Sequence, residues 1–311
     1  MQIYSISLSG VLSLQLHALN NEGSEGNQTL TRRYYIVRDG DSEPELVNGI
    51  SGDMLKHIQA GHLHRIALAD ALSLSEGASR FDPDRVGYDI DRANSPFFDG
   101  GEKELGAKIA KILQRCAVSD LEGFMITEKK GQTLKRDSTV EFGTIVGIPD
   151  RVKTQSYFHA KYGAENPVPY NVQVSSGAYA TVAHLEAFRI GYNPHQFNYS
   201  IDATERKKRL DALLKSVLYA YLQSNGAKRN TCLPHPNGFF GILSATTGRC
   251  PAPMVSPLDR DFRDRIYNLS ETLNRIHNSE IVHLFPFENV AEFANCIERL
   301  MELAEPWEES E

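Results

Sequence analysis

Cysteine is scarce in this chain. Cys116, Cys232, Cys250 and Cys296 are the whole complement in 311 residues, too few to read as a disulfide framework. No apolar run is long enough to cross a bilayer. The apolar start, MQIYSISLSGVLSLQLHAL, alternates with serine and carries no basic leading segment, so it does not read as a secretion signal. The expected location is cytoplasmic, with no membrane partner. Positive charge is also short: 33 Lys and Arg stand against 40 Asp and Glu, a formal net charge of -7. That excludes a uniformly basic nucleic-acid binder but not a local basic face. The phosphate-cradling G-x-x-x-x-G-K-[ST], the G-x-S-x-G elbow and the zinc helix H-E-x-x-H are all missing, and with them the enzyme classes they mark. The expectation is a protein without catalysis, metal or cofactor.

The negative charge that is present is concentrated. Residues 288–311 contain eight glutamates and one arginine, so this tail alone carries the whole formal excess. The rest of the chain is close to neutral and has room for a basic surface.

Periodicity gives the outline of a fold. Tyr4, Ile6, Leu8, Leu12, Leu14 and Leu16 alternate with Ser5, Ser7, Ser9, Ser13, Gln15 and His17. That period of two predicts a long strand with one buried and one wet polar face. Ser51 is placed to cap a helix carrying Met54, Leu55, Ile58 and Ile66. Residues 75–101 read as loop, and Leu105, Ile109, Ile112 and Leu113 as a second helix. Residues 127–139 (TEKKGQTLKRDST) read as an exposed polar hairpin or loop, 142–148 and 174–190 as strands, and 149–172, with three prolines, as a projecting loop. The clearest helix is 203–224, with Asp202 and Glu205 in a capping pattern and Gly226 at its stop. A strand at 239–243, a helix at 257–276, a strand at 281–287 and a helix at 289–304 follow. The core order, strand-helix-strand-strand-helix-strand, is that of an α+β, ferredoxin-like or RRM-like domain. Such a sheet can leave one face open to RNA, and the polar side of the first strand is expected there. The chain reads as a single elaborated domain over 1–311. Its palm is drawn from 1–74, 140–148 and 174–287, with a helical insertion at 75–139, a thumb at 149–173 and an acidic C-terminal helix at 288–311.

Residues 23–57, GSEGNQTLTRRYYIVRDGDSEPELVNGISGDMLKH, hold the most chemistry. Asn27 and Thr29 lie on a glycine-rich turn ahead of Arg32, Arg33, Tyr34 and Tyr35. Arginine and hydroxyls suit phosphates, and tyrosine packs on bases or sugars. The alternative is an edge strand with solvent-exposed arginines. Ser51 and Gly52 open a helix whose early turns carry Lys56 and His57, and free N–H groups at a helix start attract anions. The alternative is an ordinary serine cap. Residues 150–162, DRVKTQSYFHAKY, interleave Arg151, Lys153, Thr154, His159 and Lys161 with Tyr157, Phe158 and Tyr162, a composition suited to single strands. A surface hairpin with its own small apolar cluster is the other reading. Lys228 and Arg229 follow the best helix, as phosphate ligands or as cations at a helix end. Metal readings fail on spacing. His57 and His64 lie two turns apart, and Cys232, His235 and Cys250 lack a fourth ligand.

Taken in order, the opening strand, the GSEGNQTLTRR turn, NGISGDMLKH, GIPDRVKTQSYFHAKY leading to SSGAYA, and GAKRN resemble the backbone subunit of CRISPR Cascade complexes, in its DevR-like branch. The resemblance spans roughly residues 3–250. It implies an RRM-like palm with a helical insertion and a projecting thumb, and copies arrayed head to tail along a CRISPR guide RNA. The implied partners are that RNA, the target DNA paired with it, other copies of the chain and other Cascade subunits. It places guide contacts at Asn27, Arg32, Ser51, Lys56, His57, Lys228 and Arg229. Ser175 and Ser176, in the SSGAYA segment, join the expected set. Some relatives in other CRISPR classes cut RNA with a loop Asp. Residues 20–31 here hold Glu22 and Glu25 and no Asp, so cleavage is not implied. Two other classes stay open on the residues alone: an endoribonuclease using His57 or His159 as general base, and a nucleotide-binding regulatory protein using the glycine-rich 238–248 stretch.

Overall fold

The alternation of residues 5–17 does build a long strand, and it lies near the middle of the molecule. A computed structural model describes residues 1–19, 21–37, 43–91, 97–98, 104–127, 133–160, 163, 169–224 and 229–308. Seven strands form the spine of the main sheet: β1 (Ser5–His17), β2 (Arg33–Ile36), β3 (Glu45–Ile50), β4 (Ile145–His159), β5 (Tyr170–Leu185), β6 (His235–Thr246) and β7 (Val282–Phe287). Their order across the sheet is β7-β6-β1-β5-β4-β3-β2. The central four, β6-β1-β5-β4, are antiparallel throughout. Numbered along the βαββαβ core they run fourth, first, third, second, which is a ferredoxin-like sheet in an α+β fold.

The helices are α1 (Gly52–Ala69), α2 (Leu105–Arg115), α3 (Ala117–Glu122), α4 (Ala203–Leu222), α5 (Phe262–His277) and α6 (Val290–Leu303). The α4 helix starts where Asp202 accepts the Glu205 N–H at 2.8 Å. Its Leu210, Leu213, Leu214 and Val217 enter the main core with Leu55, Ile58 and Leu63 of α1 and Leu8, Leu12 and Leu14 of β1. The α6 helix joins the same layer through Phe293, Ile297 and Leu300. Among the described residues no helix is long and apolar enough to cross a membrane.

Four expectations change. First, the polar face of β1 is not wet. Ser5, Ser7 and Ser9 are buried. Ser7 Oγ donates to the Ala252 carbonyl at 3.0 Å, while Ser5 Oγ and Ser9 Oγ accept from the N–H groups of Ala252 and Val255 at 2.8 and 3.3 Å. Beyond them, Phe262 and Ile266 of α5 pack on Val11, Ala178 and Ile242. Residues 250–277 thus cover the centre of the face that an RRM offers to RNA. The serines look solvent-facing in sequence because their partners are backbone groups some 245 residues away. Second, the alternation reverses at the end of β1. Leu16 takes a left-handed φ of 55° at a bulge where the pairing steps from Leu14–Gly177 to His17–Ser175. One extra residue in β1 sends Leu16 outward, 42% exposed, and His17 into the core.

Third, within the loop expected at 149–172, residues 149–159 and 170–172 are instead the outer parts of two paired strands. Register runs from Val152–Gly177 to His159–Tyr170. Pro149 falls in the irregular stretch between Gly147 and Val152, where no ladder N–H is demanded. Fourth, the hairpin of Phe124–Thr127 and Thr133–Arg136 is only half exposed, and the 75–101 stretch contains helical turns at Glu76–Ser79 and Val86–Asp91. Ile126 and Leu134 face a small core of their own. Arg136 is buried against Asp120, Nη2 to Oδ1 2.6 Å, and Arg209 of α4 reaches Oδ2 of the same carboxylate at 2.9 Å. The Gly191 N–H adds a third donor at 3.0 Å. A buried carboxylate between two arginines is tolerable because each charge is paired and hydrogen-bonded, and it ties α3 and the strand ending at Arg136 to α4 and to Gly191.

Candidate nucleic-acid interface

Strand alternation decides what the projecting hairpin displays. Successive side chains of β4 point to opposite faces, so Arg151, Lys153, Gln155, Tyr157 and His159 share one side. Arg151 and Lys153 are exposed, and the His159 ring stacks on Tyr170 with centroids 5.3 Å apart and planes 18° from parallel. On the other side Phe158 is 68% exposed. An aromatic that large is ordinarily buried, and here it stands on a two-stranded arm.

The glycine-rich turn predicted to matter docks at the flank of this arm. Short strands Asn21–Glu25 and Gln28–Thr31 pair as a hairpin. Gln28 and Thr29 then run parallel to Asn171 and Val172 of β5. Asn27 Nδ2 donates to the Pro169 carbonyl at 3.0 Å, Asn27 O accepts from the Asn171 N–H at 2.9 Å, and Gln28 Nε2 donates to Ser156 Oγ at 3.1 Å. Residues more than 120 positions apart in sequence thus form one surface. Gly23 and Gly26 have left-handed φ values of 58° and 61°, with open space where a Cβ would stand, so among the described residues nothing packs on the turn at these two positions.

Beneath that turn lies a buried polar chain. Tyr179 OH donates to Asn48 Oδ1 at 2.8 Å and receives His17 Nε2 at 2.8 Å. Asn48 Nδ2 in turn donates to Thr31 Oγ1 at 2.5 Å and to the Arg32 carbonyl at 3.2 Å. The Thr31 N–H donates to Gln173 Oε1 at 3.0 Å. Because the tyrosine proton goes to Asn48, His17 must carry its proton on Nε2, which leaves Nδ1 buried without a partner. Burial lowers the His17 pKa from 6.5 to about 4 and raises that of Tyr179, so both are neutral near pH 7. The chain links β1, β5 and β3 to the Thr31–Arg32 backbone. Asn48, Gln173 and Tyr179 carry no sequence signal for this. His17 was misplaced because the bulge at Leu16 is invisible in the alternation.

The other expected residues divide. Arg33 is exposed on β2, next to a 73% exposed Tyr35. Arg32 Nη1 donates to Tyr34 OH at 3.3 Å, and Gly49 makes room for the Tyr34 ring, which would stand 2.6 Å from a Cβ there. Ser51 is buried, with its Oγ taken up by the Met54 N–H at 3.2 Å. Gly52 is needed for packing, since a Cβ would meet the Phe142 carbonyl at 2.4 Å. Lys56 turns inward to Glu122 at 3.1 Å and the Val140 carbonyl at 3.1 Å. Ser51 thus caps α1, while Gly52 and Lys56 serve its contact with residues 138–143, which the motif alone could not distinguish from an anion site. His57 is exposed, with Phe81 5.6 Å away. Thr154 and Ser175 share a hydroxyl bond of 2.8 Å, and Ser176 Oγ accepts the Leu16 N–H at 2.9 Å. Arg229 lines a cavity of about 270 Å³ with Leu14, Ile50 and Met54, so the segment after α4 returns over the start of α1. Lys161 and Lys228 lie outside the described residues. Neither His57 nor His159 hydrogen-bonds a carboxylate among the described residues, and no group of three His, Cys, Asp or Glu there is placed to hold a metal.

Over residues 8–267 the sequence matches the family described as CRISPR-associated negative auto-regulator DevR/Csa2. No curated protein sequence matches it. Among solved structures, a chain described as "CRISPR RNA-guided surveillance complex, pre-nicking" superposes with a TM-score of 0.53 at 11% identity, covering 96% of this chain and 99% of that one. A second, described as "CRISPR RNA-guided surveillance complex", gives 0.50 at 12% identity, with 96% and 98% covered. At such identities the likeness is one of fold.

Proposed function

Since the chain belongs to the DevR/Csa2 family of CRISPR-associated proteins, we propose that it is a non-catalytic backbone subunit of an RNA-guided surveillance complex, holding guide RNA by its phosphates. The observation that carries this is the row Arg151, Lys153, Tyr157 and His159 on one face of the β4–β5 arm, with the Asn27–Arg32 turn docked at its flank. Two cations followed by aromatic rings along one face of an exposed strand provide phosphate contacts and base-stacking surfaces without reading base edges. On this reading the aromatic arm interrupts pairing between guide and target DNA. Its partners are then guide RNA, paired target DNA, further copies of the chain and other subunits of the complex. The cytoplasm is where such a complex meets its nucleic acids.

The family description also speaks of negative auto-regulation, which a guide-loaded assembly and a free regulator would perform differently. Salt dependence of binding tests whether the protein holds RNA by its phosphates. If a copy holds ~5 phosphates, log affinity for single-stranded RNA falls against log salt with a slope of about -3 to -4. Arg32→Ala weakens all sequences alike. A slope near zero would sink the reading. RNA cleaved on incubation with the pure protein, and spared by His57→Ala or His159→Ala, would replace it with a nuclease.

A further inference from the structure

The C-terminal halves of α1 and α4 leave a cleft of about 510 Å³ lined by Arg65, Asp70, Lys215, Tyr219 and Leu222 among others. It continues past Leu222 and Gln223 into the cavity behind Arg229. Tyr219, Leu222 and Leu233 along this surface are 40%, 48% and 62% exposed. Large apolar side chains grouped on a surface and rimmed by charge mark an interaction site. Lys215 is neutralised by Asp70 at 3.2 Å. Arg65 is exposed and has no carboxylate within ion-pair distance among the described residues.

The opposite character is found on α6. Its inner side is Phe293, Ile297 and Leu300, while Glu298, Arg299, Glu302 and Leu303 are exposed, and the Arg299 guanidinium is drawn over the Phe285 ring of its own molecule, 5.8 Å from the centroid. Glu298 and Glu302 are one turn apart and stand on the same side. The two surfaces cannot meet within one molecule, because α4 lies between them. Gln59 of α1 bonds Ser216 of α4 at 2.7 Å, whereas Tyr221 of α4 packs against Phe293 of α6, and Lys207 donates to the Met301 carbonyl at 2.7 Å. Unlike patches on one protein make a heterologous contact, which propagates from copy to copy instead of closing as a pair.

We propose that the α1–α4 cleft receives the acidic outer face of α6 from a second copy of the chain. Leu303 sits on the apolar rim, and Glu298 and Glu302 face Arg65. This rests on reading the chain as an assembling subunit and names the surfaces through which it assembles. It also gives the acidic tail a place away from RNA.

Charge reversal tests it in the full chain. Sedimentation measures assembly, alone and on a long single-stranded RNA, and a short RNA that seats one copy measures RNA affinity. Arg65→Glu should weaken assembly about tenfold or more, as like charges oppose across the contact. Glu298→Arg with Glu302→Arg should do the same, and all three changes together should restore assembly. Short-RNA affinity and thermal midpoint should hold throughout. Single-side variants that assemble as the parent does, or a triple variant that folds but stays dispersed, would overturn the pairing. Loss of short-RNA binding by the unaltered protein would instead overturn the function proposed above.

Discussion

Strand β1 and the outer half of β4 are both rich in polar residues, and the fold gives those residues opposite surroundings. In β1 the polar residues Ser5, Ser7 and Ser9 are buried under residues 250–277 and bonded to them. In β4 the polar row Arg151, Lys153 and Gln155 stays in solvent. Alternation reports that a strand has two faces, not which of them meets water. Side-chain size tells more. Serine is short enough to be satisfied by a backbone packed against the sheet, whereas arginine and lysine are rarely buried without a charged partner.

The comparison breaks most visibly if the cover is removed. Phe262 is buried at the centre of the contact between α5 and the sheet. Phe262→Ala should lower stability by about 3–5 kcal/mol in urea unfolding, the usual cost of emptying an aromatic site in a core. Folded protein should keep its RNA affinity, since this face is taken to be structural. A parallel fall in short-RNA affinity for the folded fraction would return the β1 face to the interface.

Much of this architecture is legible from the chain alone. The βαββαβ order fits the observed sheet order. Helix α4 was legible within two residues, because Asp202 caps it and the Leu210–Val217 stripe is unbroken. The candidate interface was legible in part: composition pointed to Arg151–His159 and to the 27–33 turn, and the structure brings the two together. What stayed hidden depends on single backbone states and on remote partners. The left-handed φ at Leu16 reverses a strand's faces with no glycine to announce it. Arg136 sits in a run of lysines and threonines that reads as solvent-facing, yet Asp120 lies 16 positions earlier to receive it. Lys56 looks like a phosphate ligand until Glu122 is seen beside it.

His17 sharpens the contrast at intermediate cost. Its pKa is about 4 in the fold against 6.5 for an ordinary imidazole, so the unfolded chain binds the extra proton more readily between those values. Stability should therefore be fully present above about pH 6.5 and be lost as pH falls toward 4, by up to about 3 kcal/mol from this group alone. Urea unfolding at several pH values reads the slope directly. His17→Gln should flatten that part of the profile, whatever it does to stability at neutral pH. An unchanged profile in the variant would mean that the acid sensitivity lies elsewhere, and that the chain beneath Thr31 is not poised on a neutral imidazole.

The smallest stability effect belongs to the exposed row, and there the binding effect should be plain. Arg151→Ala with Lys153→Ala removes two side chains that are exposed on β4, and surface changes of this kind move stability by less than about 0.5 kcal/mol. If each contacts one phosphate, the magnitude of the salt slope should drop by about 0.7 per residue removed, or roughly 1.4 for the pair. Tyr157→Ala on the same face should weaken binding and leave the slope alone, because stacking releases no counterions. The two readouts together decide the role of the arm. A double variant with an unchanged slope would mean that the cations of β4 are as detached from RNA as the serines of β1.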